Sequence, residues 1–164
     1  MALTVTSRAG LEPWIAFLRA HSAITRQLNA DLLADHGLTL NDYEVLLVLS
    51  RAEDRRMRRV DLAESVVLTA SGITRLLDGL EGAGYVEKER CSTDLRVSYA
   101  KLTGAGHEKL REAAATHLRG VDELFVGRFS SPELETLAVL LGRLPARGED
   151  CTAGTAGPAE SACG

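Results

Sequence analysis

The segment Thr69-Ala-Ser-Gly-Ile-Thr-Arg-Leu-Leu-Asp-Gly-Leu-Glu-Gly-Ala-Gly84 constrains this chain more than any other. Ile73, Leu76, Leu77 and Leu80 recur at helical spacing, and Gly82 and Gly84 close the helix. Tyr85 to Arg90 then alternates weakly in polarity. Arg96 to Leu102 does the same, with Val97 and Tyr99 as its apolar positions. A polar turn around Ser92 to Leu95 joins the two runs into a hairpin. A short helix, a glycine stop and a hairpin in close succession admit few folds.

The flanks are helical. Trp14, Leu18, Leu28 and Leu32 mark a helix over residues 11–35, with Pro13 suited to its first turn and His36-Gly37 ending it. Thr39 or Asn41 caps the next helix, and Asn41 with Glu44 fits a capping box. That helix runs to about Ser50 and carries Tyr43, Leu46, Leu47 and Leu49. The arginine-rich stretch after it reads as a connector, followed by a short helix from about Val60 to Val66. Beyond the hairpin, Thr103 caps a helix from Gly104 to about Phe129, with a stripe of Leu110, Ala114, Leu118, Val121 and Leu124 or Phe125. Ser130-Ser-Pro-Glu133 starts a last helix bearing Leu134, Leu137, Leu141 and Leu144, which Pro145 stops. From Gly148 on there is no Leu, Ile, Val or aromatic residue to bury, so residues 148–164 are expected to be a disordered tail.

The totals exclude several classes. Three cysteines, Cys91, Cys151 and Cys163, make no disulfide framework and no zinc spacing. No apolar run approaches a membrane span and the start lacks a signal-peptide pattern, so no membrane association is expected and cytoplasm is the default. No nucleophile with a base, no phosphate loop and no acid pair points to catalysis, so the expectation is no enzyme, no cofactor and no metal. The net charge of −4 argues against nucleic acid until its distribution is read. Residues 51–101 hold ten basic and nine acidic groups, the one net-positive third, with Arg51, Arg55, Arg56, Arg58 and Arg59 clumped together. That clump is either a phosphate-binding face or a solvated loop.

The order helix, helix, helix, helix, hairpin, helix, helix is that of a winged helix-turn-helix between long outer helices: a mainly α fold with a small β-hairpin wing. In the fourth helix Ala70, Ser71, Thr74, Arg75 and Asp78 face outward. Ser71 and Thr74 suit base edges or phosphates, and Arg75 suits a forked contact with guanine or phosphate. Gly72 leaves room for close backbone approach. Arg96 follows the hairpin turn, where a guanidinium reaches a minor groove, and Asp94 is placed to orient it. Taken singly, these are also an ordinary capped surface helix and a local surface salt bridge. Their order gives them weight. The competing reading is a winged-helix protein-interaction module, for which an acidic total is natural.

The chain resembles the MarR family of bacterial transcriptional regulators in Leu62-Ala63, Ser71-Gly-Ile-Thr-Arg75, Leu80-Glu-Gly-Ala-Gly84, Asp94-Leu-Arg96, Leu102-Thr103 and Gly106. It departs at Leu95, where the family frequently has an arginine. The resemblance covers about residues 11–145. It implies an intertwined homodimer, with residues 1–38 and 104–147 as dimerisation helices and 39–103 as the DNA-binding region. It further implies double-stranded DNA as partner, most often repression, and release by a small-molecule effector. The family's ligand region corresponds to Trp14, Phe17, His21 and Tyr43. Core packing is the plainer role for each of these, and for Cys91 at the wing base.

Overall fold

A computed structural model describes residues 8–66, 70–90 and 97–144. Its helices are α1 (Arg8–His36), α2 (Leu40–Arg51), α3 (Arg59–Ser65), α4 (Ala70–Gly82), α5 (Gly104–Leu124) and α6 (Ser131–Leu141). Its strands are β1 (Arg56–Arg58), β2 (Val86–Arg90) and β3 (Ser98–Leu102), hydrogen-bonded antiparallel in the order β1-β3-β2. No described helix is long and apolar enough to cross a membrane. The expected tail, residues 148–164, lies outside the described residues.

Local chemistry accounts for the helix ends. Gly37 takes φ 66°, and the Leu38 amide donates back to the Leu32 carbonyl, as a glycine C-terminal stop requires. The cap of α2 is Thr39 with Asp42, not Asn41 with Glu44. Thr39 Oγ1 accepts from the Asp42 amide at 3.1 Å, and the Asp42 carboxylate accepts from the Thr39 amide at 2.8 Å. Asn41 is already inside the helix, so its side chain cannot cap. Ser130 and Glu133 form the same box before α6. Pro13 sits well inside α1 rather than in its first turn.

The core lies between α2 and everything that touches it. Val45, Leu46 and Leu49 of α2 are wholly buried beside Leu32, Leu62, Leu77 and Ala100. Of the long flanking helices, only part of each stripe is covered. Leu28 and Leu32 of α1 are buried, whereas Trp14 is 54% and Leu18 44% exposed. On α5 the buried face is Gly106, Leu110, Ala113, Thr116 and Gly120, and the expected stripe residue Leu118 is 63% exposed. Small residues face inward because α1 crosses closely: a Cβ on Gly120 would lie 2.6 Å from Leu28 Cδ2. Buried Thr116 satisfies its hydroxyl by donating to Asp35 at 3.1 Å, with the His36 ring 3.0 Å away. Helix α5 ends at Leu124, before the expected Phe129, and a 3-10 turn follows over Val126–Arg128.

Two further expectations change in the sheet. The arginine stretch is not merely a connector: a 3-10 turn over Glu53–Arg55 leads into β1, which pairs with β3. In β3 the face is reversed. Ala100 and Leu102 are buried, while Val97 and Tyr99 are only partly covered.

Thr103 joins the winged unit to α5. Its hydroxyl donates to the Gly84 carbonyl at 2.7 Å and accepts from the Gly106 amide at 3.0 Å. Gly106 lies so close that an added Cβ would collide with the Tyr85 carbonyl oxygen. Gly106→Ala is therefore expected to destabilise by about 2 kcal/mol, a fall of roughly 4–8 °C in Tm. Gly104→Ala, with open space around its Cβ, should leave Tm nearly unchanged in the same thermal melts.

Candidate nucleic-acid interface

Helix α4 is fixed from behind by Ile73, Leu77 and Leu80, all buried. The 3.6-residue period then turns Thr74, Arg75 and Asp78 outward, and each is exposed. Arg75 has no ion pair among the described residues. Ser71 lies in the first turn of α4, and Gly72 is half-buried one residue later. The glycine stop holds, with Gly84 at φ 75° and the Tyr85 amide donating to the Leu80 carbonyl at 2.9 Å. Strand β2 leaves this turn directly, so the hairpin springs from the C-terminal end of α4. Asp94, Arg96 and Cys91 lie outside the described residues.

The arginine clump is largely committed within the protein. Arg56 donates to Glu89 of β2 at 3.0 Å while its guanidinium lies 5.3 Å from the Tyr99 ring centre. Arg58 makes a forked pair with Asp61 at 2.7 and 3.0 Å. Arg59 stands 3.9 Å from both Asp78 and Glu81 of α4. Lys101 adds cross-strand pairs to Glu87 at 3.3 Å and Glu89 at 3.8 Å. The stretch is thus neither a simple solvated loop nor a wholly available phosphate face. The acidic residues that balance it sit on α3, α4 and β2. That was not legible from counts, because pairing depends on which elements pack together.

The four candidate effector residues divide. Trp14, Phe17 and His21 run along one exposed side of α1, with successive ring centres 6.3 Å apart. Tyr43 is not with them: it is buried in the core and stacked at 4.4 Å on His117 of α5. His21 instead borders a groove of about 600 Å³ with Thr25, Asn41, Glu44, Val48 and Ser65. Partial burial raises the Glu44 carboxyl above the usual glutamate range. From sequence, Glu44 is placed only in a helix cap, not beside a groove. The available signal was an acid between the apolar positions Tyr43 and Val45. Among the described residues no three His, Cys, Asp or Glu side chains gather as metal ligands would.

A helix-turn-helix with a three-stranded wing, set between long outer helices, defines a winged-helix regulator fold. The comparisons agree. Residues 36–96 match the MarR family model. The transcriptional regulator HosA of Escherichia coli O157:H7 is 32% identical over 107 residues, covering 65% of this chain and 77% of that protein. The crystal structure of AbsC, a MarR family transcriptional regulator from Streptomyces coelicolor, superposes with a TM-score of 0.78 at 32% identity over 85% of this chain and 93% of that one. Sco3205, a MarR family regulator from the same organism solved in complex with DNA, gives a TM-score of 0.80 at 26% identity over 88% and 94%. This chain belongs to the MarR family of transcriptional regulators.

The Tyr43–His117 stack yields a pH prediction. Burial lowers the His117 pKa, and its Nδ1 is buried with no hydrogen-bond partner among the described residues. The unfolded chain, with histidine near its ordinary value of about 6.5, then binds more protons than the folded one below neutrality. Stability contributed by neutral His117 is present above that value and is lost as pH falls through the lowered one. Melting curves should show a steeper loss between about pH 7 and pH 5 in the unaltered protein than in His117→Phe, which keeps a ring over Tyr43. Equal slopes would contradict this role.

Proposed function

We propose that this protein is a sequence-specific DNA-binding regulator, acting in the cytoplasm as a homodimer that represses transcription until a small ligand releases it. The observation that carries the reading is α4. Its rear is locked by three buried apolar residues, and its front presents Thr74 and Arg75, the latter without an ion pair among the described residues, with Ser71 and Gly72 at its start. A helix held this way suits a major groove, with Arg96 and Asp94 of the wing serving the adjacent minor groove.

The dimer reading rests on apolar surface. Leu11, Trp14, Ile15, Phe17 and Leu18 on α1, with Val139, Leu140 and Leu141 on α6, are exposed in the single chain. Clustered side chains of that size are usually covered by a partner. Two-fold pairing through residues 1–38 and 104–147 sets two copies of α4 about 34 Å apart, which matches half-sites of a pseudo-palindrome. The effector reading favours the groove beside His21 and Glu44, with Trp14 and Phe17 on its approach, over Tyr43.

Mobility shifts on the DNA upstream of the protein's own gene test the reading. Arg75→Ala and Arg96→Ala should each weaken binding by about 1–3 kcal/mol, and affinity should fall steeply with salt. Unchanged affinity in both variants would overturn the site, and no binding at all would favour a protein-interaction module.

A further inference from the structure

Arg59 is the first residue of α3, yet its side chain serves α4. It is 17% exposed, with Nη2 at 3.9 Å from Asp78 Oδ1 and Nη1 at 3.9 Å from Glu81 Oε1. Asp78 and Glu81 are one turn apart on the same side of α4, so one guanidinium spans both. Among the described residues neither Arg59 Nη2 nor Glu81 Oε1 has a hydrogen-bond partner, although both atoms are buried. A buried charge without hydrogen bonds is costly unless an opposite charge stands beside it. Here each supplies the other's compensation. Among the described residues, α3 and α4 also share one apolar core, to which Leu62, Ala63, Ile73 and Leu77 contribute. Such contact holds the rear of α4, and the two carboxylates add a directional hold nearer its exposed side.

Rotation matters for reading. Side-chain ends lie about 6 Å from a helix axis, so a turn of about 20° shifts them by about 2 Å. A forked arginine contact tolerates much less. Asp78 lies three residues beyond Arg75 on the exposed side, so a hold on Asp78 and Glu81 sets the direction in which Thr74 and Arg75 point.

We propose that Arg59 is a positioning residue for the reading helix: it clamps α4 to α3 through Asp78 and Glu81 and makes no contact with DNA phosphate. The inference rests on the DNA-binding reading above. It separates Arg59 from the role that a basic clump first suggests. The two roles also differ in sign. If Arg59 only adds positive charge, removing the acids Asp78 and Glu81 tightens DNA binding by lowering repulsion. If Arg59 works through those acids, removing them weakens it.

The test uses the full-length protein and a duplex that the unaltered protein selects from a randomised pool. Binding is measured across a salt series for Arg59→Met, for Asp78→Asn with Glu81→Gln, and for all three changes together. Arg59→Met should weaken binding about tenfold with the salt slope unchanged. The acid pair of changes should also weaken it, and the triple variant should be no weaker than Arg59→Met alone, since one clamp is lost in every case. A drop of about 0.9 in the salt slope for Arg59→Met would mean a phosphate contact and overturn the proposal. So would tighter binding after the acid changes, or additive losses in the triple variant. Should Arg59→Met fail to fold, the acid changes decide by sign alone, because Asp78 is exposed and Glu81 partly so. Failure of the unaltered protein to select any duplex defeats the DNA-binding reading itself, and the clamp's role with it.

Discussion

Most of the described elements pack against helix α2. Its buried side chains Tyr43, Val45, Leu46 and Leu49 occupy more than one side of the helix. Helix α2 therefore meets α1 and α5 on one flank and α3, α4, β1 and β3 on the other. A helix buried on several sides is a rigid strut, because each rotation opens a void that close-packed neighbours cannot fill. The Thr39–Asp42 box fixes where the strut begins, and the Asn29 side chain ties its first amide to α1 at 3.0 Å. Helix α4 and the outer helices α1 and α5 are thereby referred to one object. Any ligand that moves α2 relative to α1 moves α4 with it, and the groove beside His21 lies between those two elements and the end of α3.

Charge is used inside the winged unit as much as on its surface. Arg56 ties β1 across Tyr99 to β2, and Arg59 ties α3 to α4. Both pairs are partly sheltered from solvent, where salt screens less than at an open surface. A chain of net charge −4 can then belong to a family of transcriptional regulators without contradiction. On the proposed reading, recognition rests on where a few guanidinium groups point rather than on a general positive field.

Much of this architecture was legible before any coordinates. Gly37, Gly84, Thr103 and Ser130-Ser-Pro each announce a boundary by their own backbone chemistry, and the structure honours all of them. Strand β1 was not legible, because Arg-Met-Arg is too short to show alternation and owes its form to pairing with β3. Tyr99 misled for a related reason. Its size suggested the core, but the sheet buries small Ala100 there and leaves Tyr99 beneath Arg56. On α5 the buried face is made of Gly, Ala and Thr, which a search for large apolar residues passes over. Of the site, the outward placement of Thr74, Arg75 and Asp78 followed from periodicity alone. The placement of Tyr43 away from Trp14 did not, since it depends on how α5 brings His117 over α2.

The central claim is that two copies of α4 are presented together, at a spacing fixed by the outer helices. Hydroxyl-radical footprinting of the full-length protein on its selected duplex measures that spacing directly. The account predicts two protected patches on one face of the DNA, centred about 34 Å apart, one helical turn. A single patch, or protection spread evenly around the duplex, would contradict it.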